Sequence, residues 1–96
     1  ELARRHGDYA IVGLAASART NGKGLDEVRL AYFGVGDTPI RVKKAEAALA
    51  GGNVDAAVNA LDLDPNDDVQ ATAKVKKHLA GVLLRRVAAQ LLESRP

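Results

Sequence analysis

Cysteine and methionine are both absent from this 96-residue sequence, and its only aromatic residues are Tyr9, Tyr32 and Phe33. Without cysteine there is no disulfide, no thiolate metal site and no iron–sulfur ligation. With aromatics at 3% but eighteen alanines, the core must be close-set and aliphatic instead of built on rings. No apolar run approaches the ~20 residues of a membrane span, and nothing N-terminal reads as a signal peptide. Cytoplasm is therefore the default compartment. Methionine is missing even at position 1, where the chain begins Glu1-Leu2-Ala3-Arg4-Arg5. A translated chain starts with Met, so this one is expected to be a piece of something longer.

What is present reads as one domain, residues 1–96, with 47% hydrophobic residues for a single core. A chain this short hides only about two thirds of its unfolded surface. The pI near 9.2 reflects a net charge of only +2. Charged residues of both signs make up 27%, which describes a solvated surface and not a polyelectrolyte.

The first half reads as strands. From Asp8 to Arg19 apolar residues are nearly continuous, too interrupted by Gly and Ala for a helix. Thr20-Asn21-Gly22-Lys23-Gly24 carries the Asn-Gly hairpin signal, and the β-favouring run Val28–Gly36 follows. The spacing predicts a long antiparallel hairpin of 8–19 and 25–35, broken at Asp37-Thr38-Pro39. The second half switches to helices. One covers 42–50 and ends at Gly51-Gly52; a short one follows Asn53 as N-cap through Leu61; the longest runs from about Val69 to Leu92. Lys43 and Lys44 oppose the dipole of the first. Strands followed by helices, without βαβ alternation, predict an α+β domain: an antiparallel sheet (a long hairpin plus a possible short strand) followed by a layer of three helices.

Two anomalies stand out. In the first strand Ala10, Val12, Leu14 and Ala16 share one face, and Tyr9, Ile11, Gly13 and Ala15 the other. A one-sided antiparallel sheet should alternate apolar with polar, and this one does not. The second face, with Tyr9 and Ile11 as its larger residues, is expected to dock on other protein. On the long helix, Val75, Leu79, Val82, Leu83, Val87 and Leu91 form an apolar arc, and Arg86 falls inside it. A buried ion pair for Arg86 is expected, with Asp8 or an acid of the 62–68 loop as candidate partner.

No self-contained catalytic or metal site is visible. His6 and His78 lack metal spacing with each other or with nearby acids. Asp62-x-Asp64-x-Asn66 opens like an EF-hand loop, but its sixth position is Asp67 and its twelfth Ala73. Asp67 and Asp68 are better read as capping the long helix. The pairs Gly22/Gly24 and Gly34/Gly36 do not sit between a strand and a helix, as a dinucleotide fingerprint requires. Ser17 and Ser94 have no nucleophile-elbow context. Adjacent Tyr32 and Phe33 must point to opposite faces, and the basic residues are scattered, which argues against a nucleic-acid partner.

Order and spacing of several segments carry a resemblance. They are Arg4-Arg5-His6-Gly7-Asp8-Tyr9-Ala10-Ile11-Val12, Arg29–Gly36, Thr38-Pro39-Ile40-Arg41, Ala45–Gly51, and the long helix with Leu79, Val82, Leu83 and Arg85-Arg86. Over essentially its whole length the chain resembles the C-terminal domain of the flavoprotein (medium, FAD-binding) subunit of the carbon monoxide dehydrogenase and xanthine dehydrogenase family of molybdenum hydroxylases. The resemblance implies an antiparallel sheet and three helices within a multi-subunit oxidoreductase. It implies upstream FAD-binding domains on the same chain, a molybdenum-cofactor large subunit and a [2Fe–2S] small subunit. Electrons would pass from [2Fe–2S] through FAD to an acceptor. FAD would be held mainly upstream, so no flavin-binding residue carries over and no cofactor is expected for these residues alone. Where the family usually has an aromatic followed by Arg near the start of the long helix, this chain has Val75 and Lys76. The alternative is a free-standing α+β binding or scaffold module without an enzymatic role.

Overall fold

Among the described residues, four strands come first and three helices last. The structure, a computed structural model, describes residues 2–9, 12–21, 24–35, 39–61, 63 and 73–93. The strands are β1 (Leu2–Tyr9), β2 (Val12–Asn21), β3 (Gly24–Phe33) and β4 (Ile40–Arg41). They form an antiparallel sheet in the order β1-β2-β3-β4. The helices are α1 (Lys43–Ala50), α2 (Val54–Asn59) and α3 (Ala73–Glu93). This is the α+β arrangement expected from the sequence.

The expected hairpin is present as β2 and β3, with Asn21 opposite Gly24. The strand placed at 8–19 is corrected: β1 ends at Tyr9, β2 begins at Val12, and the two pair with Tyr9 opposite Val12. Arg4, Arg5 and His6 interrupt the apolar pattern that marks the other strands, so β1 carries no strand signal of its own. They occupy an edge strand, where charged side chains guard the open edge.

Along β2, Val12, Leu14, Ala16 and Ala18 are buried while Gly13, Ala15 and Ser17 are half-buried, so period 2 holds. On β3 the buried set is Leu25, Val28, Leu30 and Tyr32, with a spacing of three at its start. Ser17 opposes Arg29 but Arg19 opposes Asp26, so β3 holds one extra residue there. Glu27 absorbs it with φ of 50°, the left-handed setting of a bulge. The bulge shifts the alternation by one and keeps Leu25 on the same face as Leu30 and Tyr32.

The helices cover that face alone. α3 lies across β1 and β2, α1 packs on β3, and α2 sits between α1 and α3. Gly7 of β1 faces Leu83 so closely that a Cβ there would come within 2.7 Å of Leu83 Cδ2. Tyr32, fully buried, donates its hydroxyl hydrogen to the Ala80 carbonyl at 2.6 Å and so ties β3 to α3. Burial also pushes its phenol well above the ordinary value. Asn53 accepts the Ala56 amide at 2.9 Å, the N-cap expected for α2. Gly52, with φ of 82°, takes the left-handed position after α1 that β-carbon residues avoid.

The buried face of α3 is Lys76, Ala80, Leu83, Leu84, Val87, Ala88 and Leu91, which corrects the predicted arc. Val75 is exposed and Val82 only half-buried. Alanines at 80 and 88 let the helix approach the sheet, so the contact stripe turns away from the bulkiest residues and toward the small ones. The capping role expected for Asp67 and Asp68 lies outside the described residues.

Candidate functional site

The face of the sheet turned away from the helices is built from cross-strand rows. One row is Arg4, Ser17 and Arg29; the next is His6, Ala15, Ala31 and Arg41; a third is Asp8, Gly13 and Phe33. Paired residues share a face, so the middle of each row is small and its ends are longer, with arginines at three of the six. The result is a trough of about 470 Å³ whose lining includes Arg4, His6, Ala15, Ser17, Arg29, Ala31 and Arg41. Phe33 lies just beyond it, 46% exposed. A face expected to be simply apolar is thus a small-residue floor between basic walls. β2 alone does suggest an apolar face; the cations come from its neighbours, which the strand-by-strand reading did not place beside it.

One wall is anchored from within the core. Leu30 would exchange both backbone hydrogen bonds with Val42 if β4 continued, and the Val42 amide does donate to the Leu30 carbonyl at 3.2 Å. The Val42 carbonyl, however, accepts the Glu46 amide at 3.0 Å to begin α1. The Leu30 amide donates instead to Glu46 Oε2 at 2.9 Å. A carboxylate has replaced the missing strand. The same carboxylate receives Arg41 Nε at 2.8 Å and Arg41 Nη2 at 3.0 Å, a two-pronged pair. Burial pushes the Glu46 carboxyl upward, but the Arg41 guanidinium and the Leu30 amide outweigh it and hold it below the usual value. The reciprocal hydrogen bond raises Arg41 further above its already high value.

The remaining cations differ in their ties. Arg19 donates to Glu27 at 2.6 Å near the bulge, and Arg85 of α3 donates to Asp55 of α2 at 2.7 Å. Among the described residues, no carboxylate forms an ion pair with Arg4 or Arg29. Glu46 and Arg41 form an ion pair whose carboxylate is buried and whose guanidinium reaches the surface. The sequence signal for it was Glu46 inside an Ala-rich helix, five residues after Arg41.

Of the predicted site residues, the side chain of Arg86 alone lies among the described residues. Arg86 is exposed on α3, about 120° around the helix from the centre of the buried stripe. That position corrects its expected burial. Ile11 lies outside the described residues, and so does the side chain of Tyr9. His6 is exposed on β1 and His78 on α3. Among the described residues, no group of three or more His, Asp or Glu could hold a metal ion. Nor is any described helix long and apolar enough to cross a membrane.

Comparison with known proteins places this architecture. The family model of the CO dehydrogenase flavoprotein C-terminal domain matches residues 1–91. The chain is 34% identical over 97 residues to caffeine dehydrogenase subunit beta of Pseudomonas sp. (strain CBB1), covering 94% of this chain and 33% of that protein. It is 32% identical over 100 residues to the 6-hydroxypseudooxynicotine dehydrogenase complex subunit alpha of Paenarthrobacter nicotinovorans, covering 96% and 34%. A solved carbon monoxide dehydrogenase from Hydrogenophaga pseudoflava, lacking the Mo-pyranopterin moiety, superposes with a TM-score of 0.82 at 29% identity. That match covers 98% of this chain and 37% of the other. The chain thus spans about one third of the length of the curated relatives it matches.

Proposed function

The chain belongs to the CO dehydrogenase flavoprotein C-terminal domain family, and from that premise we propose that it is the docking domain of a flavoprotein subunit in a molybdenum hydroxylase-type oxidoreductase. In that setting the subunit carries electrons from [2Fe–2S] centres through FAD to an acceptor. This domain supplies a rigid surface against which the flavin-binding part and the neighbouring subunits pack. The observation that carries the reading is a sheet that, among the described residues, is covered by helices on one face only, with Phe33 and two arginines presented on the other.

The described residues do not fit FAD by themselves. A dinucleotide cradle needs glycines where a Cβ would block the ligand. Gly7 instead makes room for Leu83, Gly52 serves the end of α1, and Gly81 faces Val58 across a helix contact. Flavin binding is accordingly assigned to other parts of the complete subunit, and the large and small subunits are its proposed partners.

Titrating FAD into the 96-residue chain, followed by flavin fluorescence, is expected to show no micromolar complex; one would overturn the docking reading. Of the two residues read from the sequence as docking candidates, Ile11 remains the proposed one; the register sets Tyr9 opposite Val12, which is buried under the helices, and so takes Tyr9 off the open face. Ile11→Asp is expected to leave the unfolding midpoint of the chain unchanged while disrupting assembly of the complete subunit. Loss of folding would place Ile11 in the domain's own core.

A further inference from the structure

The trough has a shape and a charge that the docking reading does not by itself specify. Strands in a sheet lie about 4.8 Å apart. Arg4 and Arg29 stand on either side of β2 in one row, so their backbones are about 10 Å apart; His6 and Arg41 in the next row span three strand spacings, about 14 Å. An α-helix with its side chains is about 10–12 Å across. The floor of Ala15, Ser17 and Ala31 lets a helix backbone come close, while a second sheet would meet the arginine walls before it met the floor. Neither Arg4 nor Arg29 forms an ion pair among the described residues, Arg29 acting on the Glu46 carboxylate only from a distance, and the Arg41 guanidinium is already turned to Glu46. The acids of this face stand in the rows beyond the floor: Asp8, whose Oδ1 lies 3.8 Å from where a Gly13 Cβ would be, at one end, and Asp26 with Glu27, beside Arg19, at the other.

We infer that the trough over β2 is the seat of an acidic amphipathic α-helix from a partner polypeptide. The helix turns small residues to Ala15 and Ala31, carboxylates to Arg4 and Arg29 on its two flanks, and an apolar side chain to Phe33. Arginine and exposed aromatics are the side chains that carry most binding energy at protein interfaces. Bidentate pairing of guanidinium with carboxylate gives the orientation along β2. Such a helix would cover the open face of the sheet as α1 and α3 cover the other. This inference rests on the docking reading above and names the chemistry of what docks.

The test uses the complete native assembly that contains this domain, with a photo-crosslinking amino acid placed at Ser17 in one variant and at Ala31 in another. Both positions are expected to capture the same segment, identified by mass spectrometry as a helix with Asp or Glu on both flanks. Arg4→Glu combined with Arg29→Glu is expected to weaken that contact at least tenfold and to flatten its salt dependence. Exchanging two carboxylates of the captured helix for lysine should then restore it. Both arginines are exposed, and an unchanged thermal midpoint of the double variant separates lost contact from lost folding. An assembly that forms with neither position crosslinked overturns the inference, as does capture of a basic, neutral or extended segment or of nucleic acid. Capture of an acidic helix in an assembly without molybdenum or iron–sulfur subunits would uphold it and overturn the docking reading instead.

Discussion

Replacing Glu46 tests the point where sheet, helix and trough wall meet. Its side chain is 7% exposed and holds two different partners, the Leu30 amide and the Arg41 guanidinium. Glu46→Ala leaves the buried Leu30 amide unpaired, because the Val42 carbonyl is committed to α1. An orphaned buried donor costs about 1–3 kcal/mol. Arg41, 44% exposed, can turn to water, so its loss adds little. The expected cost is about 2 kcal/mol, or about 8–16 °C in Tm for a domain of this size. Glu46→Gln keeps an acceptor for the amide and should lose about half as much. Thermal unfolding by circular dichroism reads both, and amide hydrogen exchange at Leu30 should lose protection in Glu46→Ala alone. The pH dependence has a definite sign. The carboxyl is held below its ordinary 4.5 in the folded chain, so its contribution is complete above that value. It is lost as pH falls through the lower folded value, and the gap between wild type and Glu46→Gln should close there. A Glu46→Ala protein within about 0.5 kcal/mol of wild type at pH 7, a difference typical of neutral surface substitutions, would refute the reasoning. So would a gap that persists unchanged into strong acid.

Gly7→Ala drives a Cβ to within 2.7 Å of the buried Leu83 Cδ2 and should cost about 1–3 kcal/mol, measured by urea unfolding. Adding Leu83→Val should recover part of that loss, and a neutral Gly7→Ala would show that the contact relaxes freely. Tyr32→Phe removes the hydrogen bond to the Ala80 carbonyl and should cost about 1 kcal/mol at pH 7. The unfolded phenol releases its proton near 10.0 while the buried one holds it, so wild-type stability should fall above that pH. Denaturant midpoints between pH 9 and 11, flatter for Tyr32→Phe than for wild type, would report it. Asn53→Ala strips the cap from α2 and should cost about 1 kcal/mol, detectable as a lowered thermal midpoint.

Local signals made much of the fold legible. Asn21-Gly22 announces the β2–β3 hairpin, Gly51-Gly52 the end of α1, and Asn53 the start of α2, each through chemistry confined to a few neighbouring residues. What escaped was non-local or phase-dependent. The spacing of Leu25 to Val28 is an alternation error unless a bulge at Glu27 absorbs one residue, and a bulge has no sequence mark as strong as a turn's. The stripe of α3 was predicted from the largest apolar residues, whereas close packing on the sheet selected Ala80 and Ala88 as well. Arg86 was drawn into the core by that same misplaced arc. Glu46 went unremarked because its partners, a guanidinium five residues earlier and an amide sixteen residues earlier, meet only once β4 turns into α1.

The two faces of the sheet show why the candidate site was the hardest part to foresee. On the inner face each residue's fate follows from its own side chain, since Leu14, Leu30 and Tyr32 are buried by any fold that has a core. The outer face is different, because its character belongs to rows and not to residues. Ser17 is an unremarkable small residue until Arg4 and Arg29 stand beside it, and Ala15 is one until His6, Ala31 and Arg41 complete its row. Shifting β1 by one residue against β2 would move Arg4 to the helix side and bring Arg5 outward. The register is therefore part of the site. It is held by Gly7, the residue of β1 small enough to pass beneath Leu83. A substitution at Gly7 that slips the strand should thus disturb recognition on the opposite face, even though Gly7 itself lies on the core side of the sheet.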